Sequence, residues 1–299
     1  MAAETAPKKS VDPLMLVAIA VLLWSTGGLF IKLTTLDAFA VNLGRSSLAA
    51  VVVLAFTYKK GLRPDLFTLF TSLLYAGTLI AFVYATKNTT AANAIFLQYT
   101  APVYILVLSP FILKESFRFG DLITVVVCLA GMSLFFLEEP SPQNGLAKNI
   151  FAGNIAALVS GLFFGLYFIY LRHPRSLKRN PSISVFYGNL IVVALMLPFL
   201  IASPPQHIGL LDIIAVSSLG IFQIGVSYIL FTKGMAGGVR SMDASIVGFI
   251  EPLFNPVWVF LFIGERPSMW AMIGGGVIIA AVGFHTFRQQ IRSRKTIAA

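Results

Sequence analysis

The sequence predicts an all-α integral membrane protein: ten transmembrane helices as two inverted five-helix repeats, both termini cytoplasmic. Three observations carry this. Residues A, V, I, L, M, F, W, Y and C make up 57% of the 299 positions and charged residues only 11%. A soluble domain carries about 25% charged residues, so this chain must use lipid as its solvent. Ten apolar stretches approach the roughly 20 residues that a helix needs to cross about 30 Å of hydrocarbon. Finally, the chain repeats itself: Ala101-Pro102 followed by Lys114-Glu115 reappears 150 residues on as Glu251-Pro252 followed by Gly264-Glu265. The match extends upstream with a short slip, Ala85-Thr86-Lys87-Asn88 against Phe231-Thr232-Lys233-Gly234, and Ala94 opposite Ala244.

A cytoplasmic tail, 1–12, precedes the first span at 13–33. That span follows Lys8-Lys9 and is trailed by the A-x-A-like Ala38-Phe39-Ala40, yet its apolar run exceeds the 7 to 15 residues of a signal peptide. It is expected to stay in the mature chain. Spans at 38–58, 66–86, 91–113 and 119–137 complete a first repeat, 13–137. An outer linker, 138–148, leads to spans at 149–171, 182–202, 210–233, 241–263 and 268–287, the second repeat at 149–287. A basic tail, 288–299, ends the chain. The remaining loops leave no room for a soluble catalytic domain, so no enzyme is expected. The lone Cys128 forms no disulfide framework, and His173, His207 and His285 are scattered at or near span ends. No metal site and no cofactor are expected.

With the amino terminus inside, the cytoplasmic segments hold most of the 22 Lys and Arg, leaving Lys32, Lys87, Lys148 and Arg266 outside and Arg45 within a span. This bias fixes the orientation and explains the net charge of +10 without a nucleic-acid patch, since the cations are dispersed over all inner segments. Five helices per half is an odd number, so the second half enters from the opposite side. Repeats of inverted topology place a solute site near the bilayer midplane, between halves that rock to give alternating access.

Two ionisable residues sit deep in spans: Glu251 and Arg45. A buried charge costs about 2.5 to 3.5 kcal/mol on insertion scales, so each is a coupling or substrate-binding ion, or a structural one. Glu251 can bind a proton or receive an ammonium, or merely serve backbone freed by Pro252 and Pro256. Arg45 can clamp a carboxylate or pack. Pro102, Pro110, Pro252 and Pro256 each remove a helix hydrogen bond, and Pro102 and Pro252 mark matched hinges. Gly161, Gly165 and Gly274-Gly275-Gly276 permit close helix packing. No GxxxxGK[ST] phosphate loop supports ATP use.

The chain resembles the drug/metabolite transporter superfamily, specifically its ten-helix branch of paired EamA-type repeats, closest in appearance to bacterial exporters of aromatic or neutral amino acids. The resemblance runs from about 13 to 287. It is carried by Leu23-Trp24-Ser25-Thr26-Gly27-Gly28 with Lys32, by Arg45, and by the blocks Pro102 to Glu115 and Glu251-Pro252 to Gly264-Glu265. It implies an inner-membrane, multi-pass carrier, a monomer or loose dimer whose partners are lipid and a small-molecule substrate. It also implies a central cavity lined by the first, third, fourth, sixth, eighth and ninth spans. Candidate lining residues there are Trp24; Tyr75, Thr78 and Phe82; Asn93, Phe96, Tyr99 and Thr100; Phe163, Phe164 and Tyr167; Gln223, Ser227 and Tyr228; and Trp258.

Aromatic walls with isolated polar groups suit a flat, partly apolar ligand oriented by a few hydrogen bonds. Export of aromatic or other neutral amino acids is the expectation, and exporters of drugs or nucleosides, a lipid-linked sugar translocator and a passive channel are its rivals. Short four-helix relatives carry a proton-binding glutamate in their first helix. Residues 13–33 here hold no carboxylate, which leaves facilitated diffusion and proton linkage both open.

Overall fold

The computed structural model describes residues 11–89, 91–134, 137, 149–263 and 269–297. The 138–148 linker, Gly264-Glu265, Arg266, Lys8 and Lys9 lie outside the described residues, and within them every regular element is helical. The elements are α1 (Pro13–Trp24), α2 (Gly27–Leu33), α3 (Ala38–Thr57), α4 (Leu66–Asn88), α5 (Ala91–Gln98), α6 (Ala101–Ile112), α7 (Phe119–Ser133) and α8 (Ile150–Leu171). They continue as α9 (Pro174–Leu177), α10 (Ile183–Ala202), α11 (Leu210–Ser218), a π-helical stretch (Leu219–Val226), α12 (Ser227–Ala236), α13 (Ser241–Gly248), α14 (Ile250–Ile263) and α15 (Met269–Ile297). Among the described residues, seven stretches are long and apolar enough to cross a membrane: Pro13–Leu33, Ala38–Lys60, Leu66–Asn88, Asn93–Ile112, Ile150–Leu171, Ile183–Ala202 and Leu210–Ala236. Phe119–Ser133 is a shorter apolar helix. Exposed rings and branched chains such as Phe56, Phe111, Phe151 and Ile201 give these helices an apolar exterior, the surface that lipid accepts and water penalises.

Carboxylates and amides at the starts of helices explain where several begin. Asp12, Asp37, Asp65 and Asn149 each accept from a backbone N–H in the first turn of α1, α3, α4 and α8, satisfying donors that the helix cannot. The first span is broken at Ser25-Thr26, whose hydroxyls donate back to the carbonyls of Leu22 (2.6 Å) and Leu23 (2.8 Å). Such local bonds compete with the helical ladder.

The fourth span breaks between α5 and α6 just before Pro102, and α13 gives way to α14 at Phe249, just before Pro252. Proline brings no N–H, so the carbonyls four residues earlier, on Gln98 and Gly248, lose their helical donors. Pro102 and Pro252 thus each lie within the first turn of the helix that follows such a break.

Helices pair as α4 with α8, α1 with α12, α3 with both α10 and the π stretch, α4 with α10, α6 with α8, and α7 with α15. Glycines set the closest of these approaches. A Cβ on Gly220 would lie 2.7 Å from the Arg45 carbonyl, and one on Gly161 2.7 Å from the Gln98 carbonyl.

Candidate functional site

Where these helices converge, a part-open cavity with ≈ 330 Å³ of empty space, open solvent included, is lined by Trp24, Arg45, Thr78, Leu79, Phe82, Gln98, Phe164, Gln223, Ile224, Tyr228 and Glu251. Its aromatic wall is one connected group. The Trp24 ring lies 4.8 Å from Tyr228, 4.8 Å from Phe231 and 5.6 Å from Phe164. Trp24 Nε1 donates to Ser227 Oγ at 2.8 Å, which fixes the ring and joins α1 to α12. A π-helical stretch widens the backbone by one residue per turn and recurs at functional sites. Here it delivers Gln223 to the cavity, opposite Gly27, where a Cβ would come within 2.8 Å of Gln223 Nε2.

Arg45 is fully buried. Nη2 donates to Asn42 Oδ1 at 3.2 Å and to the Leu79 carbonyl at 3.1 Å, while Nε and Nη1 find no protein acceptor. No carboxylate among the described residues pairs with it. Gln223 Oε1 likewise lacks a donor. Unpaired buried polar atoms cost about 1–3 kcal/mol each, so the cavity keeps unused donors and an acceptor.

Glu251, also buried, enters from α14. Its Oε2 lies 2.9 Å from Tyr99 Oη, and the same hydroxyl bonds the Gly248 carbonyl. Tyr99 lines a smaller adjoining cavity of ≈ 240 Å³ with Gln98, Pro102, Phe164 and Gly248. Gln98 is tied across to α8 and α4 by Nε2 donating to Ser160 Oγ (2.7 Å), which donates onward to the Thr78 carbonyl (3.0 Å).

Of the residues singled out from sequence, Trp24, Thr78, Phe82, Phe164, Gln223, Tyr228, Arg45 and Glu251 meet at one cavity, with Tyr99 beside it. Tyr75 and Tyr167 form a layer behind Tyr228, their rings 4.8 Å and 6.4 Å from it. Their hydroxyls are engaged, Tyr75 accepting from Asn189 Nδ2 (3.1 Å) and Tyr167 bonding Ser184 Oγ (3.2 Å). Asn93 donates to Thr89 Oγ1 at 3.3 Å, Phe96 packs against the core, and Trp258 donates to Ser25 Oγ at 2.7 Å, all outside the lining of the main cavity.

Gln98 and Asn42 were not anticipated. A second polar cluster also escaped notice. His285 Nε2 lies 3.0 Å from Asp243 Oδ1, Gln289 Nε2 donates to Asp243 Oδ2 (2.6 Å), and Arg240 reaches Asp121 at 3.2 Å and Asp243 at 3.5 Å. Atoms of Asp121, Asp243 and His285 fall within 4.8 Å of one another, a spacing open to a cation, but Arg240 already supplies the positive charge. The cluster ties α7 to α13 and α15 as an ionic latch.

Comparison with known proteins places this architecture. The family model for the EamA-like transporter family matches residues 13–137 and 151–287. Two uncharacterized transporters of Archaeoglobus fulgidus are similar, one 27% identical over 89% of this chain and 93% of its own length, the other 25% identical over 92% and 97%. The Bacillus subtilis uncharacterized transporter YxxF is 23% identical over 70% of this chain and 66% of its own. A solved crystal structure superposes with a TM-score of 0.78, covering 92% of this chain and 96% of its own at 21% identity, which establishes likeness of fold.

Proposed function

The chain belongs to the EamA-like transporter family of multi-pass membrane proteins, and from that premise we propose that it exports aromatic or other neutral amino acids across the inner membrane. Carriage would proceed by alternating access between two inverted repeats of five spans, both termini cytoplasmic. The helix pairings support the repeat. Exchanging the first span for the sixth, the second for the seventh, and so on turns α4 with α8 into α12 with α1, and returns α3 with α10 and α7 with α15 to themselves. A contact pattern that maps onto itself is what a twofold relation between halves produces. Under that relation Tyr99 and Glu251 face each other across the boundary between repeats.

The observation that carries the substrate class is the pairing of opposite charges across an aromatic cavity. One wall holds a buried guanidinium with two unpartnered N–H sites and another holds a buried carboxyl. An α-amino acid presents the complementary set of carboxylate, ammonium and side chain. A free guanidinium N–H can make a charge-assisted bond to the carboxylate, and Trp24, Phe82, Phe164 and Tyr228 offer apolar surface to the side chain.

Counterflow in proteoliposomes preloaded with the twenty amino acids tests this. Saturable exchange of Phe, Tyr, Trp or neutral aliphatic residues is expected. Exchange of nucleosides or cationic drugs with no exchange of any amino acid would overturn the substrate class.

A further inference from the structure

We propose that the exposed cations gathered where the loop between α3 and α4 meets α9 form a docking surface for the anionic headgroups of membrane phospholipid, and that a bound lipid braces the two halves of the chain there. The surface lies apart from the central cavity and stands whatever solute the cavity takes.

Two loops build it, one from each of the ranges 13–137 and 151–287 that match the family model. The first carries Lys59, Lys60 and Arg63, the second Arg175, Lys178 and Arg179, and all six residues are exposed. Hydrogen bonds lock the loops together. The buried Asn180 donates through Nδ2 to the carbonyls of Thr57 and Gly61, both at 3.3 Å. Arg179 Nη1 donates to the Arg63 carbonyl at 3.1 Å, and Tyr187 Oη to that of Leu62 at 2.6 Å. The cations are thereby held in one patch across the seam between halves.

The protein leaves this charge unanswered. Within 57–70 and 171–187 the sole carboxylate is Asp65, and Arg179 Nη2 takes it at 2.9 Å. Among the described residues no acidic side chain pairs with Lys59, Lys60, Arg63, Arg175 or Lys178. Elsewhere on the same face the cations are met: Arg240 and His285 reach Asp121 and Asp243, and Glu115 lies near Arg240 and Arg172. The orientation bias asks that cations lie on one side of the membrane. It does not ask that one cluster be neutralised by carboxylates and the other left bare, and that asymmetry points to anions supplied from outside the chain.

The borders of the patch say that these anions carry acyl chains. Phe56, Leu66, Phe70 and Leu177 are exposed beside it. Lys59 Nζ sits 5.7 Å from the ring of the exposed Tyr58, and the Arg175 guanidinium 5.8 Å from that of Phe67. Apolar surface, then rings, then cations is the order in which a leaflet presents acyl chain, interface and anionic headgroup. A headgroup touching both loops adds attraction on each side of the seam.

The test uses the full chain in nanodiscs of phosphatidylcholine with a rising fraction of phosphatidylglycerol, read by melting temperature and by native mass spectrometry of retained lipid. The parent should hold phosphatidylglycerol in preference to phosphatidylcholine and melt higher as its fraction rises, an effect that shrinks with salt because the cations are exposed. Lys59→Gln/Lys60→Gln and Arg175→Gln/Lys178→Gln should each raise the half-saturating fraction, by about fivefold for every cation removed. Lys114→Gln/Arg118→Gln, elsewhere on the same face, should leave it unchanged. A parent blind to phosphatidylglycerol, a response kept by both pair variants, or an equal loss in the Lys114 and Arg118 pair would overturn the proposal. Loss in only one of the two patch variants would confine the surface to one loop and overturn the bracing. Equal stabilisation in detergent by glycerophosphoglycerol, the headgroup without its chains, would make this a site for a soluble anion and overturn the lipid.

Discussion

Replacing Arg45 by methionine tests the carboxylate anchor directly. The guanidinium is fully buried, uses Nη2 on Asn42 and Leu79, and leaves Nε and Nη1 without acceptors. A bound carboxylate meeting Nε or Nη1, which do not share an edge of the planar group, would make a charge-assisted bond of about 1.5–3 kcal/mol. That is about one to two orders of magnitude in affinity at 1.4 kcal/mol per tenfold. Methionine fills similar space without charge, and exchanging a buried ion for a well-packed apolar residue is often neutral for the fold. The assay is equilibrium binding in nanodiscs of a neutral amino acid and of its decarboxylated amine, with melting temperature as the control on folding. Arg45→Met should weaken the amino acid by about ten- to a hundredfold and leave the amine within a few-fold. Arg45→Lys should fall between, since an ammonium is a point charge without the planar fork. Equal losses for both ligands, or undiminished amino-acid binding by a folded variant, would refute the anchor.

Three further outcomes follow from the geometry. Gly161→Ala would place a Cβ 2.7 Å from both the Gln98 carbonyl and Thr100 Oγ1. Overpacking of this kind costs about 1–3 kcal/mol, outweighing the gain of up to about 1 kcal/mol from helix propensity, so its melting temperature should drop. Asp243→Asn removes a carboxylate shared by His285, Gln289 and Arg240, and should loosen α13 and α15 from α7, read as faster hydrogen exchange at the ends of those helices. Burial holds the Glu115 carboxyl above its usual range despite Arg240 and Arg172 nearby. Its contribution to stability is therefore full below the ordinary glutamate value of about 4.3 and is lost as pH rises through the raised value. Glu115→Gln should flatten the fall in melting temperature over that window.

The apolar runs and the matched prolines were legible because they are local: composition dictates lipid as solvent, and a proline removes a donor wherever the chain goes. The aromatic stripes were legible only in part. Tyr75 and Tyr167 share helical faces with cavity residues, but their hydroxyls are taken by Asn189 and Ser184 from α10, and no periodicity within one span reveals a neighbour's polar group. Gln98 and Asn42 sit amid apolar residues and gain meaning only from Ser160 on α8 and from Arg45 one turn along α3. The Asp121, Asp243 and His285 cluster draws on three helices far apart in sequence, so its members read singly as ordinary ends of spans. The break at Ser25-Thr26 was hidden for another reason: two hydroxyls bonding their own backbone interrupt the helix without interrupting the apolar run.

The contact between Tyr99 and Gly248 shows how a proline in one half is answered by a side chain from the other, and it can be tested without any ligand. Tyr99→Phe should leave the buried Gly248 carbonyl without a donor and cost about 1–3 kcal/mol. Pro252→Ala restores an N–H four residues after Gly248, so the helix itself can satisfy that carbonyl. If the bookkeeping is right, the tyrosine hydroxyl then becomes dispensable there, and Tyr99→Phe should cost less in the Pro252→Ala background than in the parent. A coupling of about 1 kcal/mol in the double-mutant cycle is expected, measured by denaturation in a fixed detergent. Strict additivity would mean that the hydroxyl and Pro252 are independent. The tyrosine hydrogen would then serve the Glu251 carboxyl, 2.9 Å away, rather than the Gly248 carbonyl.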